Sequence, residues 1–599
     1  MICDAGMIGK DRKKTALWFF WLFVISVLAY SYSLDLPFMC DDYYGFAALS
    51  GQGYYPPMDT VFYNIYDYIT PSVNREFPQI VPWWTSPDTK LLFLRPLTSL
   101  ALKLDYLIWN KNAFGFHLSN IVIHGLACAF LFMVGRLLFK RNLVAAIAAL
   151  IFIGHMYNAF VVPWSAERSS VLSMLLGLMG LYGHILYRSG KSWVWEVLAW
   201  FAFILAFLSR ESGATCLITY FLFDFFIWRK ECPEKWPGII LNFLYYALLS
   251  IPLFLFMAYF VKAGYGVVGY YSILQENQSF WAMASYIVKN VFLYIESLLF
   301  FNLLGNETNI QLFQKWYYYG PFIVMAIAAV ILFYPGFKRK LLYTPISLFL
   351  LSWLFIAFLP ILYLLTQNRY MYPATAPFGL FISYYLFEVI RLKGFGKPTK
   401  PLAYAYIIFL TVLPLVGMNI KHGTFTKIFS FQGNMVKATQ PLLEDAETPV
   451  NVYFINMPSP LYSMAVQQAF DFYMGKGTTR IFPLTMGHDV PEVTVLGDQS
   501  IEVISHSHPY LENPGEKLFM SGTESPNRVG YSMGNQFVKG TVTGVEDGKI
   551  YSFRFDFPSP LNADNVRLLY MKDRNVHRID FPGDIEPGQL LAPRKSSRE

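Results

Sequence analysis

The sequence predicts a mainly α-helical, polytopic membrane protein that ends in a β-rich extracytoplasmic domain. Three observations carry this. Hydrophobic residues make up 55% of the chain and charged residues only 15%, too few charges to coat a soluble globule. Mostly apolar runs of about 16 to 25 residues, long enough to cross a bilayer, recur up to residue 420. Beyond Lys421 the chain turns polar and shows short alternating runs such as VNVYFINM, EVTVLG and IEVISHS, the period-two pattern of half-buried strands.

The apolar runs lie near 16–35, 117–139, 142–163, 169–187, 192–209, 212–228, 238–262, 320–335, 341–365, 374–391 and 402–420, which predicts about 11 spans. The first follows KDRKK and has no small-residue cleavage site, so it reads as a retained signal anchor. Basic clusters at the N-terminus, Lys140-Arg141, Arg188 with Lys191, Arg229-Lys230, residues 338–340 and residues 391–400 all fall on one side if the N-terminus is cytoplasmic. Counting Trp281–Leu304 as a further span would break that alternation. The segment is therefore expected to be one interfacial or re-entrant helix, with Lys289 and Glu296 on a wet face.

An odd number of spans sends the C-terminal portion outward. The expected organisation is a membrane domain at 1–420, with a first outer loop at 36–115, a soluble β-rich domain at 421–590 and a disordered tail at 591–599. KGTVTGVEDGKIYSFRFDF and NVRLLYMKDRNVHRIDF read as hairpins, and PLYSMAVQQAFDFYM reads as an amphipathic helix between strands. The first outer loop, rich in aromatic residues, Pro and Gly, is long for a structureless connection and is expected to be functional.

Several function classes are disfavoured. The net charge of +7 is spread in short clusters between apolar runs, which fits membrane topology and not a nucleic-acid partner. The five cysteines show no CxxC spacing and read as packing residues. HExxH and P-loop patterns are absent, so no metal or cofactor is expected. Gly264–Gly269 matches GxGxxG but follows a membrane span and opens no βαβ unit, so it reads as an outer loop. Asn277-Gln278-Ser279 and Asn306-Glu307-Thr308 match glycosylation sequons on the outward side.

With this orientation Asp41, Asp42, Arg95, Glu167, Arg168, Arg210, Glu211 and Arg369 are all expected on the outer membrane face. Adjacent aspartates in a partly buried site repel, so one stays a weak acid unless a cation compensates. A carboxylate near arginine can act as general base. The bland alternative is a loop cap. His117, Asn120 and His124 lie three and seven residues apart, on one helix face, as an interhelical polar seam or as a headgroup path.

Five phrases, CDDYY at 40–44, LRPLTSLALKLDYLIWNKNAFGFHLSNIVIH at 94–124, WSAERSSVLSMLLGLMGLYGHILY at 164–187, LSRESGATCLITYFLFD at 208–224 and NRYMYPATAPFGL at 368–380, together resemble the GT-C superfamily of glycosyltransferases that use polyprenyl-phosphate sugars. They are most similar to the protein O-mannosyltransferase-like branch, including the transmembrane enzymes with tetratricopeptide repeats. The resemblance covers about residues 15–420 and implies that Asp41 or Asp42 is the catalytic base. Arg95, His117, His124, Arg168, Arg210, Glu211, Arg369 and Tyr370 are then implied as donor-phosphate or substrate-binding candidates. The implied partners are a polyprenyl-phosphate sugar, membrane lipids and an acceptor protein, glycan or lipid. No 34-residue helical repeat follows the membrane region, and Arg210 stands before Glu211 where repeat-bearing relatives tend to have lysine, which leaves the acceptor open.

The expected activity is inverting glycosyl transfer at the outer face, in a bacterial inner membrane with the site and the C-terminal domain in the periplasm. A lipid-linked-sugar transporter and a membrane scaffold that presents the C-terminal module are the alternatives.

Overall fold

The computed structural model describes residues 12–51, 64–262, 266–267, 279–300, 319–362, 368–392, 399–420, 422–458, 463, 465–487, 491–517, 519–520, 526–572 and 575–579. Most of the Gly264–Gly269 motif, the sequon residues Asn277 and Asn306, and the tail at 591–599 lie outside them. The chain forms two compact units, one of Met1–Leu36, Leu94–Phe260 and Ile273–Phe425, the other of Pro37–Phe93, Val261–Ser272 and Thr426–Glu599.

The first unit is helical, and each expected apolar run carries a helix. Among the described residues, six helices are long and apolar enough to cross a membrane: Arg12–Ser33, Ala113–Phe139, Ser165–Arg188, Phe280–Leu299, Arg369–Arg391 and Thr399–Gly417. Asn142–Gly154, Val194–Ser209 and Pro345–Ile361 are shorter apolar helices, and Ile239–Lys262 and Tyr319–Lys338 are helices of 24 and 20 residues. Length and composition thus mark an integral membrane protein, with six such helices among the described residues.

The short helices have local causes. The run 142–163 stops at Gly154 because Asn158 donates its amide to the Phe152 carbonyl at 2.6 Å and turns the chain into a four-residue helix at Asn158–Val161. Pro345–Phe358 begins at Thr344, whose hydroxyl accepts from the Ser347 amide at 3.2 Å, and gives way before Pro360. Trp281–Leu304, expected to be one interfacial or re-entrant helix, carries a continuous helix of 21 residues at Phe280–Phe300. It contains no Pro or Gly at which a re-entrant segment could turn back.

Small residues let these helices approach closely. Ala145, Ala146, Ala148 and Ala149 are buried, and a Cβ on Gly379 of the Tyr372–Arg391 helix would stand 2.8 Å from the Ala148 carbonyl oxygen. Leu17, Phe20, Trp21, Leu198 and Phe201 remain exposed, as side chains that face lipid must. Cys40, Cys128 and Cys216 are free thiols, whereas Cys232 is disulfide-bonded, unlike the packing role read from sequence.

The second unit contains two sheets from the C-terminal region. One is mixed, in the order Asn575–Ile579, Val566–Lys572, Val450–Ile455, Thr479–Pro483. Its central strand Val450–Ile455 is parallel to both neighbours and buried throughout. The helix Val466–Met474, expected from sequence, is the crossover that such parallel strands require. The other sheet is antiparallel, in the order Glu492–Gly497, Ser500–Ile504, Lys549–Asp556, Lys539–Glu546, Ser532–Gly534. Both expected hairpins are present. Asp547 and Gly548 turn the first with φ of 48° and 71°, the left-handed pair that matches strand twist.

The sequence reading grouped the whole first loop with the helices. In the structure Pro37–Phe93 belongs to the second unit, and the rest of the loop, from Leu94 on and including the helix Pro96–Trp109, belongs to the first. Trp83 shows why. Its indole nitrogen donates to the Leu484 carbonyl at 2.9 Å, and its ring meets Phe553 and Phe555 edge-on at 5.4 and 5.2 Å. Gly540 leaves room where a Cβ would strike that ring. Trp84 donates to the Glu516 carbonyl at 3.1 Å.

Candidate functional site

The two aspartates open the helix Asp41–Leu49 in the second unit. They differ in surroundings. Asp42 is buried and its carboxylate accepts from the Met39 amide at 3.0 Å, a cap on the chain entering the helix. Asp41 is partly exposed. Between them and the apolar segment sits Cys40, with φ of 45°, a conformation that L-residues rarely adopt and that surrounding contacts must hold. One such contact is the Cys40 amide donating to the Gln432 side chain at 2.7 Å. Tyr43 and Tyr44 are buried beside the aspartates, and burial pushes both phenols above their ordinary pKa, so they stay neutral.

In the first unit the sequence-predicted cations Arg95, Arg210 and Arg369 gather around Glu167. Arg210 pairs with Glu167 at 2.7 Å and Arg369 with its other oxygen at 3.5 Å. Arg95 pairs with Glu211 at 3.4 Å and reaches Ser169 at 3.3 Å. Ser169 also accepts from Arg210 at 3.4 Å, and Ser170 bonds both Arg210 and Glu167. The Arg369 guanidinium lies 4.8 Å above the Trp164 ring and 5.4 Å from that of Tyr370, which orients it by cation–π attraction. Tyr370 itself is buried.

The cluster is assembled at element ends. Arg95 caps the helix Pro96–Trp109, Glu167 closes a short 3-10 turn before the helix Arg168–Arg188, and Arg210 and Glu211 stand between Val194–Ser209 and a 3-10 turn. The side chains of Arg95, Arg210 and Arg369 are 13%, 14% and 21% exposed. Among the described ion pairs three guanidiniums meet two carboxylates in a sheltered place, and clustered guanidiniums are suited to an anion.

Arg168 does not join them. Its side chain is 1% exposed, and its guanidinium donates to Asp105 at 2.5 Å, to the Phe116 carbonyl at 2.9 Å and to Asn120. Asn120 in turn donates to the carbonyls of Val162 and Trp164 at 3.1 and 2.9 Å. Arg168 is thus a buried crosslink between helices. His124, also buried, bonds the Tyr372 hydroxyl at 2.8 Å, the interhelical seam that its spacing suggested. His117 bonds the Leu36 carbonyl at 2.8 Å, and so pins the chain five residues before Asp41.

Sequence reasoning passed over Asp105, Ser169 and Ser170, whose roles depend on long-range contacts. It also passed over a second polar cluster, toward the far end of Arg168–Arg188. There His184 bonds Glu196 at 2.8 Å and Asp224 at 3.1 Å, Arg188 forks onto Asp224, and Tyr246 donates to Asp224 at 2.9 Å. The i, i+4 spacing of His184 and Arg188 inside an apolar helix was the available signal. Among the described residues no three His, Cys, Asp or Glu side chains gather as metal ligands would.

No protein-family model matches the chain. Protein O-mannosyl-transferase tmtc2 of Xenopus laevis is 28% identical over 141 residues, covering 23% of this chain and 17% of that protein. Protein O-mannosyl-transferase TMTC3 of Mus musculus is 28% identical over 214 residues, 34% of this chain and 21% of that protein. Protein O-mannosyl-transferase TMTC2 of Homo sapiens is 24% identical over 168 residues, 27% of this chain and 20% of that protein. The match therefore spans 17% to 21% of the length of these relatives. The O-mannosyltransferase likeness read from the motifs is borne out at this level. Among solved structures, archaeal oligosaccharyltransferase AglB from Archaeoglobus fulgidus, in complex with an inhibitory peptide and a dolichol-phosphate, aligns with a TM-score of 0.42 and 11% identity over 78% of this chain and 64% of that one. ArnT from Cupriavidus metallidurans bound to undecaprenyl phosphate aligns with a TM-score of 0.35 and 13% identity over 78% of this chain and 85% of that one.

Proposed function

We propose that the chain is an inverting glycosyltransferase that moves a sugar from a polyprenyl-phosphate donor to a protein, glycan or lipid acceptor on the outer face of the membrane, in a bacterial inner membrane with the second unit in the periplasm. The single observation that carries the reading is the sheltered cluster of Arg95, Arg210 and Arg369 around Glu167. The sequence similarity to protein O-mannosyl-transferases points the same way.

In this reading the acceptor hydroxyl attacks the anomeric carbon and a carboxylate takes its proton. The bond from that carbon to the phosphate oxygen breaks, and polyprenyl phosphate departs with the electron pair. A phosphate leaving group needs charge stabilisation and no protonation, and guanidiniums supply that directly. One essential carboxylate therefore suffices, unlike the two of glycosidases. Asp41, the more exposed of the two, takes the role of base, with Asp42 as the second candidate. Arg95, Arg210 and Arg369 hold the phosphate, and Glu167 and Glu211 hold the arginines. Arg168 and His124 support the helices, and His117 fixes the approach to the aspartates. The reading calls for no metal or cofactor.

The test is sugar transfer from a panel of synthetic polyprenyl-phosphate sugars by the purified full chain, beside Asp41→Asn and Arg210→Met. Transfer by the native chain that is lost in both variants, with donor binding kept in Asp41→Asn, supports the proposal. Donor binding without turnover across a broad set of acceptors would turn the reading toward transport.

A further inference from the structure

A cavity of about 540 Å³ opens among Arg12, Thr15 and Phe19 of the first helix, Arg136 of Ala113–Phe139, Tyr182 and Leu186 of Arg168–Arg188, and Lys191 and Trp195 beyond it. It belongs to the first unit and lies away from the arginine–glutamate cluster. Arg136 follows Asn120 by 16 residues, and Leu186 follows Arg168 by 18, on helices whose earlier residues are crosslinked by the Arg168–Asn120 bond. At 1.5 Å per residue the cavity stands about 25 Å further along both helices.

Its lining has two characters. Arg12, Arg136 and Lys191 come from three separate segments and bring three positive charges, and none of the described lining residues is acidic. Ala16, Phe19, Met133 and Leu186 form apolar walls, and Tyr182 and Trp195 meet edge-on at 6.2 Å. Arg136 is held in place by donating to the Asn142 side chain at 3.1 Å. Tyr and Trp at helix ends mark the depth of lipid headgroups, and basic pockets between membrane helices are suited to anionic headgroups. The volume falls within the 300–1,000 Å³ usual for small-ligand sites.

We infer that this cavity binds the headgroup and upper acyl chains of an anionic phospholipid, its phosphate among Arg12, Arg136 and Lys191 and its chains against Phe19 and Leu186. The site is distinct from the proposed donor site and does not depend on the proposed activity. A bound lipid would tie the first helix to Ala113–Phe139 and Arg168–Arg188 where they end.

The test uses the purified full chain in a neutral detergent, with phosphatidylglycerol or phosphatidylcholine added and bound lipid counted by native mass spectrometry. Phosphatidylglycerol is expected to bind at defined stoichiometry and phosphatidylcholine at least tenfold more weakly. Arg12→Gln with Lys191→Gln should weaken phosphatidylglycerol about thirtyfold, from the attraction of two cations near an anionic lipid. Lys230→Gln, which removes an exposed cation outside the cavity, should leave it unchanged. Arg136→Lys keeps the charge and should retain most of the binding, which separates the site from a folding defect. Equal affinity for both lipids, or equal losses in the double variant and Lys230→Gln, would overturn the inference. Displacement of phosphatidylglycerol by millimolar inorganic phosphate would also overturn it, by revealing a small-anion site.

Discussion

Arg168 and Arg210 are adjacent in the motif reading, yet the structure gives them opposite work, and substituting each by methionine separates structure from chemistry. Arg168 is 1% exposed and its partner Asp105 is 7% exposed, so Arg168→Met leaves a buried carboxylate without its cation. Breaking such a pair costs about 3–5 kcal/mol, and the Phe116 carbonyl and Asn120 lose a donor besides. At about 2 °C per kcal/mol for large chains, the unfolding midpoint should fall by roughly 6–10 °C. Arg210→Met removes one of two cations from Glu167, and Arg369 and Ser170 remain beside it, so the loss should stay near 1–2 kcal/mol. Under the proposed function its transfer rate should fall about 100-fold or more, the scale for losing a charge-stabilising donor. Unfolding can be followed by a thiol-reactive dye, because Cys40 and Cys128 are free and buried. An unmoved midpoint in Arg168→Met would refute the crosslink, and full transfer by Arg210→Met would refute the phosphate role.

The aspartates should separate in the same way: Asp41→Asn abolishes transfer with little change in unfolding, whereas Asp42→Asn loses about 1 kcal/mol of stability by weakening a cap and keeps measurable transfer. Under the proposed function His117→Ala should lower kcat without changing donor KM, since it holds the Leu36 carbonyl five residues before Asp41; an unchanged kcat would remove that role. A Cβ on Gly213 would run into the Ala206 backbone, so Gly213→Ala should cost about 1–3 kcal/mol and displace Arg210 and Glu211, read as a loss of transfer larger than the loss of stability. Burial raises the Glu516 carboxyl from 4.5 to about 7. Between those pH values the folded chain holds a proton that the unfolded chain has released, so stability declines as pH rises across the window, by about 3 kcal/mol at most. Hydrogen exchange in 539–556 should show that decline, and Glu516→Gln should flatten it.

Legibility in the sequence followed the range of the interactions. The helices of the first unit and the two hairpins were readable because their signals are local: apolar length, period-two alternation, and an Asp-Gly turn at 547–548. The stop at Gly154 was not, because it depends on where the Asn158 amide finds a carbonyl. The cations of the site were readable as charges at helix ends, but the sequence could not sort them. Arg168 and Arg210 look alike until Asp105, 63 residues away, is found against one and Glu167 against the other. The membership of 37–93 in the second unit was equally hidden, because Trp83 meets its acceptor 401 positions later.

That separation has a temporal side. The amide of Cys40 waits for an acceptor 392 residues downstream, so at roughly 5–20 residues per second a ribosome needs about 20–80 s to deliver Gln432 after Cys40 has emerged. Throughout that interval the stretch bearing both aspartates lacks the helices Phe431–Thr439 and Val466–Met474, whose Gln432, Phe472 and Tyr473 it meets in the folded chain. Proteases and chaperones therefore meet this stretch before the residue that holds the Cys40 backbone in its rare conformation has been made.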